Sequence, residues 1–293
     1  MKVPQSVLAL LLVVLTACGS NSNQQSSPVK VSAYIQNKGS DTLVNLALAW
    51  AERYQAEVPA VSLSVTGGGS GTGIAALVNG TVDIANASRA MTDDEIKQAE
   101  ANGITPVKFV VSRDAIAVVV NPENPVRKLT LQQISDIYSG RINNWSELGG
   151  EDRPIVRLSR ETNSGTHVYF LQTVIRLGDS SKKTLFSTDT LLLPSSEGII
   201  NEVRQNPNAI GYDGLGYIPP DLMDSVIAVS RDASGPYVIP SIATVNDNTY
   251  PVARDLYMYT AGQPAGAIKD YIDWILSPEA QAIVADLGFV PIK

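Results

Sequence analysis

The sequence predicts an α/β fold of two domains with mainly parallel sheets, joined by two chain crossings. Strand-like apolar runs alternate with amphipathic helix patterns along most of the chain, which is typical of parallel sheets covered by helices. Hydrophobic residues make up 44% and charged residues 17%, as in globular proteins rather than disordered or membrane-embedded ones. We expect residues 30–114 and 250–293 to form the first domain and residues 115–249 the second, with one continuous α/β domain as the alternative.

Strand and helix patterns alternate in the first third of the chain. Apolar alternation predicts strands at "VKVSAYIQ", "VSLSVT" and "VDIANAS". Amphipathic spacing predicts helices at "LVNLALAWAERYQAE", "IAALVNG" and "TDDEIKQAEANG". Because helices separate successive strands, these strands are expected to pair in parallel.

Two apolar runs are placed to carry the chain between the predicted domains. "VKFVVSRDAIAVVVNPENPV" is too long for one ordinary strand, and "YPVARDLYMYT" resembles a return crossing. The second domain is predicted from "LTLQQISDIYSG", "IVRLSRETNSGTHVYFLQTVIRLG", "NAIGYDGLGYIP" and "SVIAVSR", and "AGAIKDYIDWILSPEAQAIVADLG" predicts a closing helix pair. Two domains joined in this way would leave a cleft between them.

The N-terminus has the pattern of a lipoprotein signal peptide over residues 1–18. One lysine precedes an apolar run that is too short to span a bilayer, and small residues then lead to Cys18, the only cysteine. This end resembles the bacterial lipobox, so we expect Cys18 to be lipidated; an ordinary secretory signal is the alternative. Residues 19–29 are polar and predict a flexible tether. The expected location is extracytoplasmic, with a lipid anchor in the bacterial cell membrane.

The charge balance limits the classes of ligand. A net charge of −7 argues against a broad basic surface for nucleic acid. An anionic ligand would have to be captured by local hydrogen-bond donors, because the field of the whole protein opposes it.

Three short turns share one design, in which Ser-x-Thr stands between a strand-like and a helix-like run. They are Gly39–Thr42, Gly69–Thr72 and Asn163–Thr166. Each offers a hydroxyl and free backbone N–H groups at a helix start, where an anion is stabilised. A single turn of this kind would be read as a helix N-cap. Three of them predict convergence on one anion, with Ser40, Asp41, Thr42, Ser70, Ser164, Gly165 and Thr166 as candidate residues.

Two arginines lie beside these turns. Arg89 follows Ser88 at the end of a predicted strand, and Arg160 ends the strand before the third turn. A guanidinium can grip a tetrahedral oxyanion with paired donors, so Arg89 and Arg160 join the candidate site. Surface ion pairs are the alternative role for the two arginines.

Other chemistries fit the sequence less well. Gly71–Ala76 matches only the loose dinucleotide pattern, and Ile74 stands where the Walker motif requires lysine. Ser70 and Ser164 both lack the nucleophile-elbow pattern, and a serine hydrolase would depend on His167, the only histidine. We therefore expect no catalytic residues, no cofactor and no metal site.

Long stretches resemble the phosphate-binding lipoproteins of bacterial phosphate-specific ABC transporters. The matching runs are "GSDTLVNLALAWAERY", "GGGSGTGIAALVNGTVDIANASRAMTDDE", "DAIAVVVNPENPV", "LTLQQISDIYSGRINNWSELGG", "SRETNSGTHVYF" and "NAIGYDGLGY". The resemblance implies a type II periplasmic-binding-protein fold, a monomer that closes on phosphate like a hinge, and permease subunits as partners. It places Ser40, Thr42, Ser70, Ser88, Arg89, Arg160, Ser164, Gly165 and Thr166 at the anion.

One position departs from the enterobacterial branch of that family, which has an aspartate where this chain has Arg89. That aspartate accepts the proton of hydrogen phosphate, whereas an arginine cannot accept a hydrogen bond. Asp41 is our candidate acceptor, and simple helix capping is its alternative role. Another tetrahedral oxyanion (sulfate, molybdate or tungstate) and a stand-alone phosphate sensor or scavenger stay open as alternative functions.

Overall fold

Ten strands and nine α-helices alternate along residues 31–292, the part of the chain that the computed structural model describes. The strands are β1 (Ala33–Gly39), β2 (Val61–Thr66), β3 (Ile84–Ala87), β4 (Val107–Val120), β5 (Lys128–Thr130), β6 (Val156–Arg160), β7 (Leu191–Leu193), β8 (Ala209–Gly214), β9 (Ala228–Ser230) and β10 (Ala253–Thr260). The helices are α1 (Val44–Glu57), α2 (Ser70–Val78), α3 (Asp93–Ala101), α4 (Leu131–Tyr138), α5 (Gly165–Phe170), α6 (Ser196–Gln205), α7 (Ile242–Asn246), α8 (Gly266–Ile275) and α9 (Pro278–Asp286). The predicted signal peptide, tether and lipidated Cys18 lie outside the described residues.

Eight strands form one sheet in the order β2-β1-β3-β10-β4-β8-β6-β7. The pairs at both ends of the sheet are parallel, as predicted, whereas β4 and β10 run antiparallel to their neighbours. β4 pairs with β10 through Val107–Ala115 and with β8 through Ile116–Val120. The long apolar run is therefore one strand shared by both halves of the sheet, and the boundary between two domains stays a prediction.

Each half of the sheet carries its own large apolar core. Trp50 packs with Leu256, Met258 and Phe289 against one half of the sheet. On the other half, the core is built around aromatic side chains, including Tyr138, Trp145, Phe170 and Tyr212. Both tryptophans are fully buried, as large apolar side chains in a core are.

Two helices differ in detail from the sequence prediction. α2 begins at Ser70 itself, so the second serine turn lies in the first helical turn rather than before it. The helix that starts at Gly165 is six residues long and continues as a π-helical turn over Leu171–Ile175. Within residues 31–292 no helix combines the length and apolarity that a membrane crossing needs.

The fold brings the loops from the two ends of the sheet together. The serine turns follow the carboxyl ends of β1, β2 and β6, which is where α/β sheets bind their ligands. The backbone N–H of Gly71 donates to the carbonyl oxygen of Asn163 (3.0 Å), and Asn163 Nδ2 donates to the carbonyl oxygen of Gly68 (3.0 Å). The second and third turns therefore touch directly.

Candidate functional site

The first serine turn is held against β3. Gly39 has a φ of +144°, and a Cβ atom there would collide with the carbonyl oxygen of Asn86, so glycine is required. The backbone N–H of Ser40 donates to that same oxygen (2.9 Å). Ser40 Oγ is buried and has no hydrogen-bond partner within residues 31–292. The turn therefore presents a hydroxyl that the surrounding protein does not use.

The second turn is joined to the end of β3 by two serines. The backbone N–H of Ser88 donates to Ser70 Oγ (3.0 Å), and the two hydroxyl oxygens lie 3.2 Å apart. Both side chains are buried. The structure thus brings Ser70 and Ser88 together, although eighteen residues separate them in the sequence.

The third turn packs directly on the first two. A Cβ atom at Gly165 would stand 2.5 Å from Ser88 Oγ and closer still to Ser70 Oγ. Thr166 Oγ1 lies 2.8 Å from Thr42 Oγ1, so a hydroxyl of the third turn meets one of the first. Three turns that are distant in sequence therefore converge, as their shared design predicts.

Ser164 acts at the start of α5. Its Oγ accepts a hydrogen bond from the backbone N–H of Thr166 (3.2 Å). The side chain therefore caps the helix, as its position in the turn predicts.

Arg160 ties the first turn to the region after β7. Its Nη1 donates to Ser196 Oγ (2.8 Å), and its Nη2 donates to the carbonyl oxygen of Pro194 (2.8 Å) and pairs with Asp41 Oδ2 (3.0 Å). Asp41 Oδ2 also accepts from the backbone N–H of Ser196 (3.0 Å). Arg160 is fully buried, and its Nε has no partner in the described chain. Both of these predicted site residues lie among the converging turns.

Arg89 is engaged by a carboxylate that sequence reasoning did not select. Its two terminal nitrogens bond the two oxygens of Glu95, each at 2.7 Å. Glu95 is also the third residue of the Thr92 capping box at the start of α3. Arg89 Nε is buried without a partner among residues 31–292. A Cβ atom at Gly71 would lie 3.8 Å from Arg89 Nη2, so Arg89 is near the second turn, with its paired donors used by Glu95.

Sequence reasoning also missed a buried ion pair on the two crossing strands. Arg254 on β10 is the register partner of Asp114 on β4, and Arg254 Nη2 lies 2.9 Å from Asp114 Oδ2. Burial raises the pKa of Asp114, and the charge of Arg254 opposes that rise. The available signal was a charged residue inside each apolar crossing run.

A fourth carboxylate, Asp213, lies at the end of β8. Its Oδ1 accepts from Ser196 Oγ (3.0 Å) and from the backbone N–H of Gly214 (2.7 Å). Its Oδ2 has no hydrogen-bond partner in the described chain and lies 3.9 Å from Arg160 Nη1. Burial raises the pKa of Asp213 to about 6, although Arg160 favours the charged form.

This pKa predicts a pH-dependent stability that Asp213→Asn removes. The folded-state pKa of about 6 exceeds the ordinary 3.8. Between these two pH values, the Asp213 carboxyl therefore keeps its proton in the folded protein and has lost it in the unfolded chain. Stability from this group is thus complete at low pH and is lost as the pH rises through 6. We expect the variant's free energy of unfolding, relative to the natural protein, to rise from pH 4 to pH 7 in phosphate-free urea titrations.

Asp221→Asn is the control for that measurement. Asp221 is exposed, and the hydrogen bond from Arg204 lowers its pKa below 3.8, so its contribution changes mainly below about pH 5. Its difference from the natural protein should be flat from about pH 5 to pH 7, where that of Asp213→Asn still rises. A flat difference for Asp213→Asn as well would contradict the raised pKa.

The converging groups contain more hydrogen-bond donors than acceptors. In each pair of hydroxyl groups, one proton forms the hydrogen bond between the two oxygens. The other proton has no acceptor among residues 31–292. On the acceptor side, Asp213 Oδ2 alone of these site groups is buried without a partner. The donors left over are the Ser40 hydroxyl, one hydroxyl of the Ser70–Ser88 pair, one of the Thr42–Thr166 pair, and the Nε–H groups of Arg89 and Arg160. Such a surplus suits an oxyanion, whose oxygens accept most of the hydrogen bonds it makes.

His167 packs against an aromatic ring and contacts a serine that lies outside the three turns. Its ring stacks on Phe186 with centroids 4.4 Å apart, and its Nδ1 lies 3.0 Å from Ser159 Oγ. Burial lowers the pKa of His167, which favours the neutral ring. Within residues 31–292 no three His, Cys, Asp or Glu side chains form a group that could hold a metal ion.

The chain matches a known protein family over most of its length. Residues 23–279 match a family model described as a PBP superfamily domain. The phosphate-binding protein PstS of Bacillus subtilis (strain 168) is 30% identical over 294 residues, which cover 98% of this chain and 92% of that protein. The phosphate-binding protein PstS of Pseudomonas aeruginosa is also 30% identical, over 279 residues that cover 89% of this chain and 84% of that protein.

Solved structures share the fold. A phosphate ABC transporter substrate-binding protein with bound phosphate, from Clostridium perfringens, aligns with a TM-score of 0.78 at 33% identity, covering 89% of this chain and 100% of that one. An ABC-type phosphate transport receptor from Vibrio cholerae aligns with a TM-score of 0.70 at 27% identity, covering 87% and 99%. These matches confirm the predicted α/β fold of the type II periplasmic binding proteins. The chain belongs to the PBP superfamily and, within it, is a relative of the phosphate-binding proteins of ABC transporters.

Proposed function

We propose that this protein binds inorganic phosphate among the three serine turns and delivers it to an ABC importer. The observation that carries the proposal is the surplus of buried donors around Ser40, Thr42, Ser70 and Arg160. A phosphate dianion offers up to four acceptor oxygens to such a set. The relatives named for phosphate binding, and the related structure with bound phosphate, support the same ligand.

Binding of this kind requires no catalytic step and no cofactor. Hydroxyl groups and guanidinium Nε–H groups replace the water that surrounds the anion in solution, and charge-assisted bonds compensate for that lost water. Binding that closes the two predicted domains would then give the importer a form to recognise. We therefore propose a monomeric, non-enzymatic carrier whose partners are phosphate and the membrane permease subunits.

We further propose that the carrier is exported and anchored through a lipid on Cys18. The apolar segment of residues 1–18 and the small residues before its cysteine support this location. The polar residues 19–29 would give the body a flexible tether to that anchor.

Two carboxylates are candidates to accept the proton of hydrogen phosphate. Asp41 Oδ2 already pairs with Arg160 and accepts a hydrogen bond from the backbone N–H of Ser196. Asp213 Oδ2 is buried and has no partner in the part of the chain that is described. Asp41 remains our proposal from the sequence, and the free oxygen makes Asp213 the natural comparison.

The test is calorimetric titration with phosphate and with sulfate across pH, after unfolding, exhaustive dialysis and refolding to strip bound ligand. We expect one phosphate site and no heat from sulfate, because fully ionised sulfate has no proton to share with a carboxylate. Asp41→Asn should weaken the preference for phosphate, and an unchanged preference in that variant but not in Asp213→Asn would transfer the role to Asp213. Equal binding of the two anions by the natural protein would overturn phosphate as the ligand.

A further inference from the structure

We propose that Arg254 is a positioning residue for the Thr42–Thr166 hydroxyl pair. By donating to the oxygens of this pair, it orients the one proton that the pair does not use internally toward the bound anion. The proposal rests on the proposed function, since it concerns how the same site presents its protons. Neither composition nor the serine turns pointed to Arg254, which lies on β10 more than eighty residues after Thr166.

The contacts of Arg254 place it behind the threonine pair. Its Nη2 lies 3.0 Å from Thr166 Oγ1 and 3.4 Å from Thr42 Oγ1, and the two hydroxyl oxygens are 2.8 Å apart. All three side chains are buried. One guanidinium nitrogen therefore touches both hydroxyls, one from the first turn and one from the third.

Counting protons gives this cluster a direction. Arginine only donates, so its Nη2 occupies a lone pair on the hydroxyls and takes none of their protons. The pair holds two protons, and one of them forms the bond between Thr42 and Thr166. The other proton faces no acceptor in residues 31–292, because the remaining contact of both oxygens is Arg254. The pair can therefore offer a proton outward, and an anion oxygen is the group that would accept it.

Arg254 itself is held by protein groups rather than aimed at a ligand. Its Nε and Nη2 donate to Asp114 Oδ2 (3.2 and 2.9 Å), and its Nη1 donates to the carbonyl oxygen of Ser88 (3.0 Å). The guanidinium carbon also lies 5.4 Å from the centre of the Tyr169 ring, within cation–π range. Because Asp114 neutralises the charge of Arg254, the contribution of the arginine to binding is the direction it gives to the threonine protons.

A double-mutant cycle on phosphate affinity tests this role in the full chain. Arg254→Lys keeps the charge beside Asp114, but a single ammonium cannot span Asp114 and both threonines as the planar fork does. We expect Arg254→Lys and Thr166→Val each to weaken phosphate binding about tenfold or more, the scale of one hydrogen bond to a charged group. If Arg254 and Thr166 act through the same hydrogen-bonded cluster, the double variant should bind phosphate no more weakly than the weaker-binding single variant.

Controls separate positioning from general damage. Ser40→Ala removes a hydroxyl that does not contact Arg254. The fold-loss of phosphate affinity that it causes should therefore multiply with the fold-loss caused by Arg254→Lys. Thr166→Ser keeps the hydroxyl and should bind phosphate more tightly than Thr166→Val. If Arg254→Lys fails to fold, as judged by circular dichroism, the joint change Arg254→Met and Asp114→Asn takes its place in the cycle, because it strands no buried charge.

The outcomes separate this inference from the proposed function. If the natural protein binds phosphate but the affinity losses of the Arg254 and Thr166 variants multiply, the positioning role is overturned and the proposed function stands. Failure of the natural protein to bind phosphate would overturn both.

Discussion

Arg160→Met is expected to abolish tight phosphate binding, lowering affinity by at least about a thousandfold. The substitution removes the cation that joins Asp41 to Ser196 and leaves the carboxylates of Asp41 and Asp213 without their nearest positive charge. Truncating one partner of a buried, charge-assisted contact across a binding interface costs about 2–5 kcal/mol, and about 4 kcal/mol corresponds to a thousandfold change in affinity. Two uncompensated carboxylates would also repel the anion. Calorimetric titration of the ligand-free variant with phosphate measures the loss.

Arg157→Met is the matched control, because Arg157 is an equally buried arginine on the same strand. It bonds Asp189 and the carbonyl oxygens of Ile137 and Ile142, away from the serine turns. We expect it to lower the thermal unfolding temperature and to leave phosphate affinity within about threefold, since none of its partners belongs to the site. Retention of the natural affinity by Arg160→Met would remove Arg160 from the site.

The serine turns could be predicted from the sequence because each turn is a local structure. A hydroxyl residue between a strand pattern and a helix pattern already defines where its side chain and its backbone N–H groups lie. Their convergence also follows from a general rule, since the carboxyl ends of strands in α/β sheets share an edge. The site residues at Ser40, Ser70 and Ser164 were accessible to sequence reasoning for this reason.

The residues behind the turns could not be predicted, because they depend on pairing between distant strands. Arg254 meets Asp114 only through the register of β10 with β4, and a shift of one residue would turn either side chain to the opposite face. Asp213 reaches Arg160 through the order of strands in the sheet. The pairing of Arg89 with Glu95 follows from the path of the chain between β3 and α3, which no helix or strand pattern specifies.

The carboxylates that pair with these arginines determine the charge balance of the site. Each arginine near the turns has its own carboxylate, in the pairs Arg89–Glu95, Arg160–Asp41 and Arg254–Asp114. Asp213 is an additional carboxylate, so ion pairing alone leaves no excess of positive charge to attract a dianion. In a protein of net charge −7, anion binding at this place therefore has to come from oriented donors rather than from charge.

The largest steric effect is expected at Gly165, where alanine should block phosphate binding and preserve the fold. The added Cβ atom would stand 2.5 Å from Ser88 Oγ and closer to Ser70 Oγ, well inside van der Waals contact. The start of α5 would have to retreat and take Thr166 with it, breaking the contact with Thr42. Loss of two charge-assisted hydrogen bonds, at about 1.5 kcal/mol each, lowers affinity about a hundredfold or more. Alanine is at least as favourable as glycine inside a helix, so secondary structure should be retained.

Gly262→Ala is the control for the Gly165 variant, because a Cβ atom at Gly262 meets nothing within 4 Å and the backbone there does not require glycine. Phosphate titration and circular dichroism of both variants distinguish a blocked contact from a misfolded chain. Natural affinity in Gly165→Ala would show that the third turn does not need to approach the first two when the anion binds. The expected result is a folded Gly165→Ala variant that binds phosphate weakly and a Gly262→Ala variant that binds it normally. This result would show that the direct packing of the three turns makes the surplus donors available to a ligand.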